Sequence, residues 1–216
     1  MKKTIIIPFF LAFVLPGIAS AQAGLNISSG INISNVAFTN FEDVMPESGL
    51  GYFIEATPGF QINEKMQILI NFQYSLQGYK TGIENSFTAS EFKYAYLYLL
   101  PEMEYYIFEH LALGLGVNYG LKLNEQYKFG TADWSYAKDL ETIHSSDFGL
   151  SGKLKARYRN IFGYIRYNAG LKNISGVILT NEEGQDNAGA KQFNRNVQVG
   201  IGYSFAKDKK RKSSTH

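Results

Sequence analysis

His144 and Ser146 are the two residues of this chain whose types and spacing come nearest to a catalytic pair. A histidine two positions from a serine on one strand face can take the hydroxyl proton, provided a third group orients the ring. That third group is missing from the pattern. The adjacent carboxylate, Asp147, alternates to the other face. A polar loop-to-strand junction accounts for His144-Ser145-Ser146 more simply. His110 sits in a short turn and His216 is the last residue, neither with a ligand partner at metal-binding spacing. Two groups of acids, Glu42, Asp43 and Glu47, and Glu182, Glu183 and Asp186, carry the oxygen ligands a divalent cation needs, but read more simply as solvated loops. No glycine-rich loop opens a helix, so no phosphate-binding motif is present. The chain has no cysteine, which removes disulfides and thiolate metal sites. No cofactor is expected.

A larger set of charged residues falls inside otherwise regular segments. Glu55, Glu102, Glu104, Lys153, Lys155, Arg157 and Arg166 each stand among alternating apolar and polar residues. Charges held away from water must pair. The sequence therefore predicts a salt-bridged plug, with acids from the second and fourth segments against bases from the sixth and seventh. A constriction selective for an anion is the functional alternative.

Eight segments position these residues: Leu25 to Ser34, Gly49 to Ile62, Met66 to Gln77, Glu91 to Ile107, Leu111 to Leu123, Asp147 to Tyr158, Ile161 to Leu171 and Phe193 to Phe205. Each alternates with period two, because successive side chains of a strand point to opposite faces. The fifth is the clearest, with Leu111, Leu113, Leu115, Val117, Tyr119, Leu121 and Leu123 opposed to Ala112, Gly114, Gly116, Asn118, Gly120 and Lys122. In the fourth, Phe92, Tyr94, Tyr96, Tyr98 and Leu100 read as the apolar face, and the phase changes near Pro101 to Met103, Tyr105 and Ile107. A bulge at Pro101 is expected there, since proline cannot donate to a ladder. In the seventh, Phe162 and Tyr164 share the polar face with Arg166.

The links alternate. Asn63-Glu64-Lys65, Phe108-Glu109-His110 and Arg159-Asn160 are tight; the stretches near 35–48, 78–90, 124–146 and 172–192 are long and polar. An up-and-down barrel with both termini on one side must alternate in this way. The apolar face is bulky and the other is rich in glycine and small polar residues, which suits a crowded interior and a lipid-facing exterior. Tyr52, Tyr74, Phe92 and Phe148 near the long links, and Phe60, Tyr158, Tyr203 and Phe205 near the short ones, fit two interfacial girdles. The fold class expected is all-β: an eight-stranded antiparallel up-and-down transmembrane β-barrel. A soluble secreted barrel with the apolar face inward is the rival.

The N-terminus reads as an export signal, with Lys2 and Lys3, an apolar run from Ile5 to Val14 and the small residues Ala19-Ser20-Ala21. Residues 1–21 are expected to be cleaved, 22–205 to form the barrel, and 206–216 to form a basic periplasmic tail. Of the 21 Lys and Arg, two lie in the signal, so 19 bases balance the 19 acids of the mature chain. From Lys207 to Lys212 the tail holds five bases and one acid, a net +4. Such a tail can meet anionic lipid or a periplasmic partner; nucleic acid is not an expected partner. No apolar run after the signal reaches the roughly 20 residues a helical span needs. Trp134 with Tyr127, Phe129 and Tyr136 makes the third long link aromatic, either as a binding tip or as a self-packed loop.

Three runs carry a likeness: Gly24-Leu25-Asn26-Ile27-Ser28 with Gly30-Ile31-Asn32-Ile33-Ser34-Asn35; Tyr98-Leu99-Leu100-Pro101-Glu102-Met103-Glu104-Tyr105-Tyr106 followed by Leu113-Gly114-Leu115-Gly116; and Gly200-Ile201-Gly202-Tyr203-Ser204-Phe205. Together they resemble the small outer-membrane β-barrels called PorT-like. The resemblance implies insertion by the outer-membrane barrel assembly machinery, with Tyr203 and Phe205 as its assembly signal. It also implies contact with outer-membrane lipid and a possible envelope protein partner. The charged tail after Phe205 departs from the usual strand-terminal ending. The group's name-giving member serves protein secretion, so an accessory role in secretion or assembly is one expectation. A non-enzymatic structural or loop-mediated role is the main one, with a narrow channel or a lipid-A-modifying enzyme as rivals.

Overall fold

The computed structural model describes residues 23–40, 45–82, 90–130, 132–136, 143–176, 179–180, 186–187 and 189–205. The expected signal, the basic tail with His216, and the loop acids Glu42, Asp43, Glu182 and Glu183 lie outside these residues. Eight long strands follow one another: β1 (Ala23–Thr39), β2 (Met45–Gln61), β3 (Met66–Gly82), β4 (Ser90–Phe108), β5 (Leu111–Phe129), β6 (Ser146–Tyr158), β7 (Ile161–Gly170) and β8 (Lys191–Ser204). Each pairs antiparallel with its neighbours, and β8 returns to β1 through Ile27↔Tyr203, Ile31↔Val199 and Asn35↔Arg195. The sheet is therefore a closed eight-stranded barrel, and closure leaves no unpaired edge.

Alternation sets what each face shows. Leu113, Leu115, Leu121 and Leu123 of β5 point outward and are exposed, as are Ile54 of β2, Leu154 of β6 and Ile201 of β8. Inward positions are buried and mostly polar: Asn32 and Ser34 of β1, Gln73 and Ser75 of β3, Asn196 and Gln198 of β8. This is the inverse of a soluble barrel and overturns that rival. Outward leucines from Leu111 to Leu123 span about 30 Å once strand rise and tilt are allowed for, close to the apolar band of a membrane barrel.

The tight turns are built locally. The Asn63 side chain accepts from the backbone N–H groups of Lys65 and Met66, both at 2.9 Å, which closes the β2–β3 turn. Arg159 takes a left-handed φ of 53° in the β6–β7 turn. At the other end β1, β2, β3 and β5 run well past the expected segment limits, β4 starts within one residue of its own, and all five reach 17–19 residues against 10–14 for β6 to β8. A tilted span needs only about 9–11 residues. Five of the eight strands therefore rise beyond the apolar band.

Strand β4 departs from the sequence expectation. Tyr94, Tyr96, Tyr98 and Leu100 are buried inside the barrel, in phase with Glu102, Glu104 and Tyr106. Its outward set is Leu97, Leu99, Pro101, Met103, Tyr105 and Ile107, without a break. Pro101 carries no bulge. Its pairing with Ile70 lies within an unbroken ladder from Met66↔Tyr105 to Thr81↔Ser90, and the offset to β5 is the same at Leu99↔Tyr119 and Glu102↔Gly116. The β4–β5 irregularities fall instead at Ala95/Tyr96 and Tyr106/Phe108. Tyrosine misleads because its ring is apolar while its tip needs a polar partner, and a wet or polar lumen serves it as well as a membrane interface. Phe92 is likewise not a girdle residue. Its ring stacks on Tyr79 at 4.9 Å and packs on the interior cluster.

Candidate functional site in the barrel lumen

The lumen has two storeys. The storey nearer the tight turns is ionic. Glu55 comes from β2, Glu102 and Glu104 from β4, Lys153 and Lys155 from β6, and Arg166 from β7. Their order in space alternates in sign: Lys155 contacts Glu104 at 2.6 Å, Glu104 contacts Lys153 at 3.1 Å, Lys153 contacts Glu102, Glu102 contacts Arg166 at 3.6 Å, and Arg166 contacts Glu55 at 2.5 Å. All six side chains are at most 5% exposed. Three carboxylates thus face three cations, and the row is neutral as a whole.

Polar neighbours complete it. Glu55 accepts from Gln73 Nε2 at 2.8 Å, Tyr164 Oη at 3.3 Å and Thr57 Oγ1 at 3.4 Å. Gln67 donates to Glu104 and, at 3.1 Å, to the Tyr106 hydroxyl. The Arg166 guanidinium lies 5.0 Å from the Tyr164 ring, and the Lys155 ammonium 5.1 Å from the Phe162 ring. Removing one member of such a buried pair costs about 3–5 kcal/mol, because its partner keeps an uncompensated charge. Arg157, expected in this row, lies at its tight-turn end. It occupies the last inward position before the β6–β7 turn, is half-buried at the rim, and its Nε donates to the Arg159 carbonyl at 2.6 Å.

Glycines make the room. A Cβ on Gly114 would lie 2.5 Å from Glu102 Oε1, and one on Gly116 would lie 2.4 Å from the Pro101 carbonyl. Gly120 admits the Tyr98 ring, Gly200 the Tyr164 and Phe53 rings, and Gly202 the Phe162 ring. The glycine-rich faces of β5 and β8 are therefore the recesses into which large side chains of neighbouring strands fold.

The storey nearer the long links is aromatic. Tyr79, Tyr94, Tyr96, Tyr98, Leu100 and Val36 pack with Ile143 and Ile174, two fully buried residues of the long connections. Ile143 bridges to Ser175, so two connections fold inward together. Asp147 accepts from Tyr98 Oη at 2.9 Å and from Asn194 Nδ2 at 3.1 Å. The hydroxyls of Tyr94 and Tyr96 are buried and have no hydrogen-bond partner among the described residues. Within the ionic storey, on its tight-turn side, a void of about 10 Å³ among Glu55, Thr57, Leu69, Lys155 and Phe162 holds at most one water.

His144 and Ser146 do not form a catalytic unit. His144 is exposed, and its backbone N–H is bonded to the Ile174 carbonyl at 2.8 Å. Ser146 accepts from Lys172 Nζ at 2.5 Å, and Asp147 points into the lumen toward Tyr98. His110 stands in the β4–β5 turn, its carbonyl accepting from the Arg157 N–H at 2.8 Å. Glu47 is exposed on β2, and Asp186 pairs with Thr180 in a short ladder. Among the described residues no three His, Cys, Asp or Glu side chains gather as metal ligands. Tyr203 and Phe205 sit edge to face at 4.9 Å on the outer wall, and the Phe205 N–H closes onto the Leu25 carbonyl at 2.8 Å. In the third long link, Trp134 stands beside Lys93 and Lys128, two lysines of other segments that sequence spacing does not connect to it.

A family model described as the outer membrane protein beta-barrel domain matches residues 20–176. Among solved structures, the chain is similar to Ail, the attachment invasion locus protein of Yersinia pestis, at 15% identity and a TM-score of 0.45, over 85% of this chain and 99% of that one. It is similar to the outer membrane protein OprG of Pseudomonas aeruginosa at 12% identity and a TM-score of 0.45, over 87% and 100% of the two chains. The outer membrane protease OmpT of Escherichia coli is similar at 9% identity and a TM-score of 0.43, over 85% and 96%. No curated protein matches the sequence.

Proposed function

The chain belongs to the outer membrane protein β-barrel domain family, and from that premise we propose that it is a non-enzymatic barrel acting structurally or through its surface loops. In this reading the long connections face outside the cell and both termini face the periplasm, as the topology of such barrels requires. The filled lumen carries the proposal. An alternating row of six charges fills one half of the described lumen and a tyrosine cluster fills the other, which supports a packed interior over a channel or a substrate cleft. The charged row is then a structural plug rather than an anion filter, because each cation is already matched by a carboxylate. The outer wall contacts membrane lipid, and Tyr203 with Phe205 offers the barrel assembly machinery its terminal strand. Planar-bilayer recording of the purified protein tests this: steady baseline current is expected, and stepwise openings would overturn it.

A second reading places the protein in the PorT-like group as an accessory of secretion or assembly. What favours it is the way the group-like runs of β4 and β5 work as one unit here, with Glu102 seated against Gly114 and Gly116. Deleting the protein and assaying secreted cargo separates the two: unchanged secretion sinks the accessory role.

A further inference from the structure

Outside the lumen, one cluster on the raised part of the wall has no structural task that accounts for its charge. Lys93 of β4 and Lys128 of β5 both approach the ring of Trp134, with Nζ at 4.1 Å and 5.9 Å from its centre. Gln126 of β5 pairs with Lys93 across the ladder, and the short strand Ser135–Tyr136 pairs with Gln126 and Tyr127, which fixes Trp134 against the wall. On the same face, Glu91 stands opposite Lys128 across the ladder, but its carboxylate is ion-paired with Lys80 at 3.3 Å. Asp133 beside the indole is exposed, and neither it nor any other described carboxylate pairs with Lys93 or Lys128. Two like charges converging on one ring repel each other; one cation–π contact explains one lysine, not both.

Height on the wall supplies the missing partner. Leu97 and Leu121 form an outward rung of the apolar band, and Leu123 is its last outward leucine on β5. Gln126 and Lys93 stand three residues beyond Leu123, roughly 8 Å higher with strand tilt. The headgroup layer on each side of a bilayer is itself about 5–8 Å deep. The two ammonium groups and the indole therefore sit at headgroup level, where indoles partition readily and cations meet lipid phosphates.

We propose that Lys93, Lys128 and Trp134 form a binding site for a phosphate-bearing lipid headgroup of the outer leaflet. A phosphate between the two ammonium groups removes their mutual repulsion and gives each a charge-assisted hydrogen bond, while the indole anchors the site at the interface. This rests on the proposed orientation, with the long connections outside.

Trp134 is the chain's single tryptophan, so its emission reports this site alone. The mature protein is refolded in lauryldimethylamine oxide micelles, which carry no phosphate, and titrated with diphosphoryl lipid A. A saturable change in Trp134 emission is expected. The Lys93→Gln/Lys128→Gln variant should bind about tenfold more weakly or worse, the loss of at least one charge-assisted contact. Lys80→Gln should bind as the parent does. Heat-dependent gel migration confirms that each variant is folded. No emission change overturns the proposal, as does equal binding by the double variant or by dephosphorylated lipid A. An equal response to inorganic phosphate alone overturns the lipid assignment and leaves a simple anion site. Micelles have no sidedness, so a wrong orientation does not alter this result. It shows instead as failure of an impermeant thiol reagent to label Ser135→Cys on intact cells.

Discussion

Glu55 and Arg166 meet across the lumen as a two-pronged pair, Nη1 to Oε2 at 2.5 Å and Nη2 to Oε1 at 3.3 Å, although 111 residues separate them. They stand on β2 and β7, three staves apart around the ring. Two parallel hydrogen bonds between planar groups fix orientation as well as charge. This contact ties the seam where β8 closes on β1 to the wall on either side.

Breaking that pair from one side should be costly. Arg166→Met leaves Glu55 buried without its counter-charge and is expected to lower unfolding free energy by about 3–5 kcal/mol. Adding Glu55→Gln should recover a large part of the loss. Guanidinium unfolding in micelles, followed by gel migration, measures both. Simple additivity of the two losses would show that the groups do not depend on each other.

The recesses in β5 should resist even a methyl group. Gly114→Ala puts a carbon 2.5 Å from Glu102 Oε1, and Gly120→Ala puts one 2.4 Å from the Tyr98 ring. Each is expected to cost about 1–3 kcal/mol as overpacking. Gly163→Ala, whose added carbon stays 3.7 Å from the Gly200 carbonyl, should be close to neutral. Refolding yield and denaturant midpoint rank the three; equal values would remove the packing argument.

The three inward tyrosines of β4 should separate by their hydroxyls. Among the described residues Tyr94 and Tyr96 have no hydrogen-bond partner for theirs, so Tyr94→Phe and Tyr96→Phe are expected to leave stability unchanged or raise it. Tyr98→Phe strips Asp147 of a 2.9 Å donor and should cost about 1–3 kcal/mol. A Tyr96→Phe loss as large as that of Tyr98→Phe would mean that its hydroxyl has a partner, such as a bound water.

Sidedness can be read with single cysteines, since the chain has none. Ser135→Cys on the raised wall should react with an impermeant maleimide on intact cells, and Asn63→Cys in the β2–β3 turn should react only after lysis. The reverse pattern would invert the proposed orientation.

Several features are legible in the residues alone. Strict alternation in β5 announces which leucines face out, because a strand turns each successive side chain to the opposite face. The same rule put Phe162 and Tyr164 on the face of Arg166, where they are. It failed at β4 because tyrosine suits either side of the wall. The unbroken outward series from Leu97 to Ile107, with Glu102 and Glu104 in phase with the tyrosines, was the available signal against a bulge at Pro101. Trp134 was visible as part of an aromatic loop, but its two lysines come from β4 and β5 and only strand pairing brings them beside it.

The sequence by itself determined an eight-stranded barrel, its outward apolar faces other than that of β4, and the small or polar residues opposite them. All of these follow from a local property, the two-residue repeat. Only the tertiary structure decided that Lys153 lies between Glu102 and Glu104, that Arg166 reaches Glu55, and that Gly114 and Gly120 are recesses for Glu102 and Tyr98. Those contacts depend on the register of every ladder around the ring. A shift of even one residue carries an acid past its base, and the repeat within a strand holds no record of that sum.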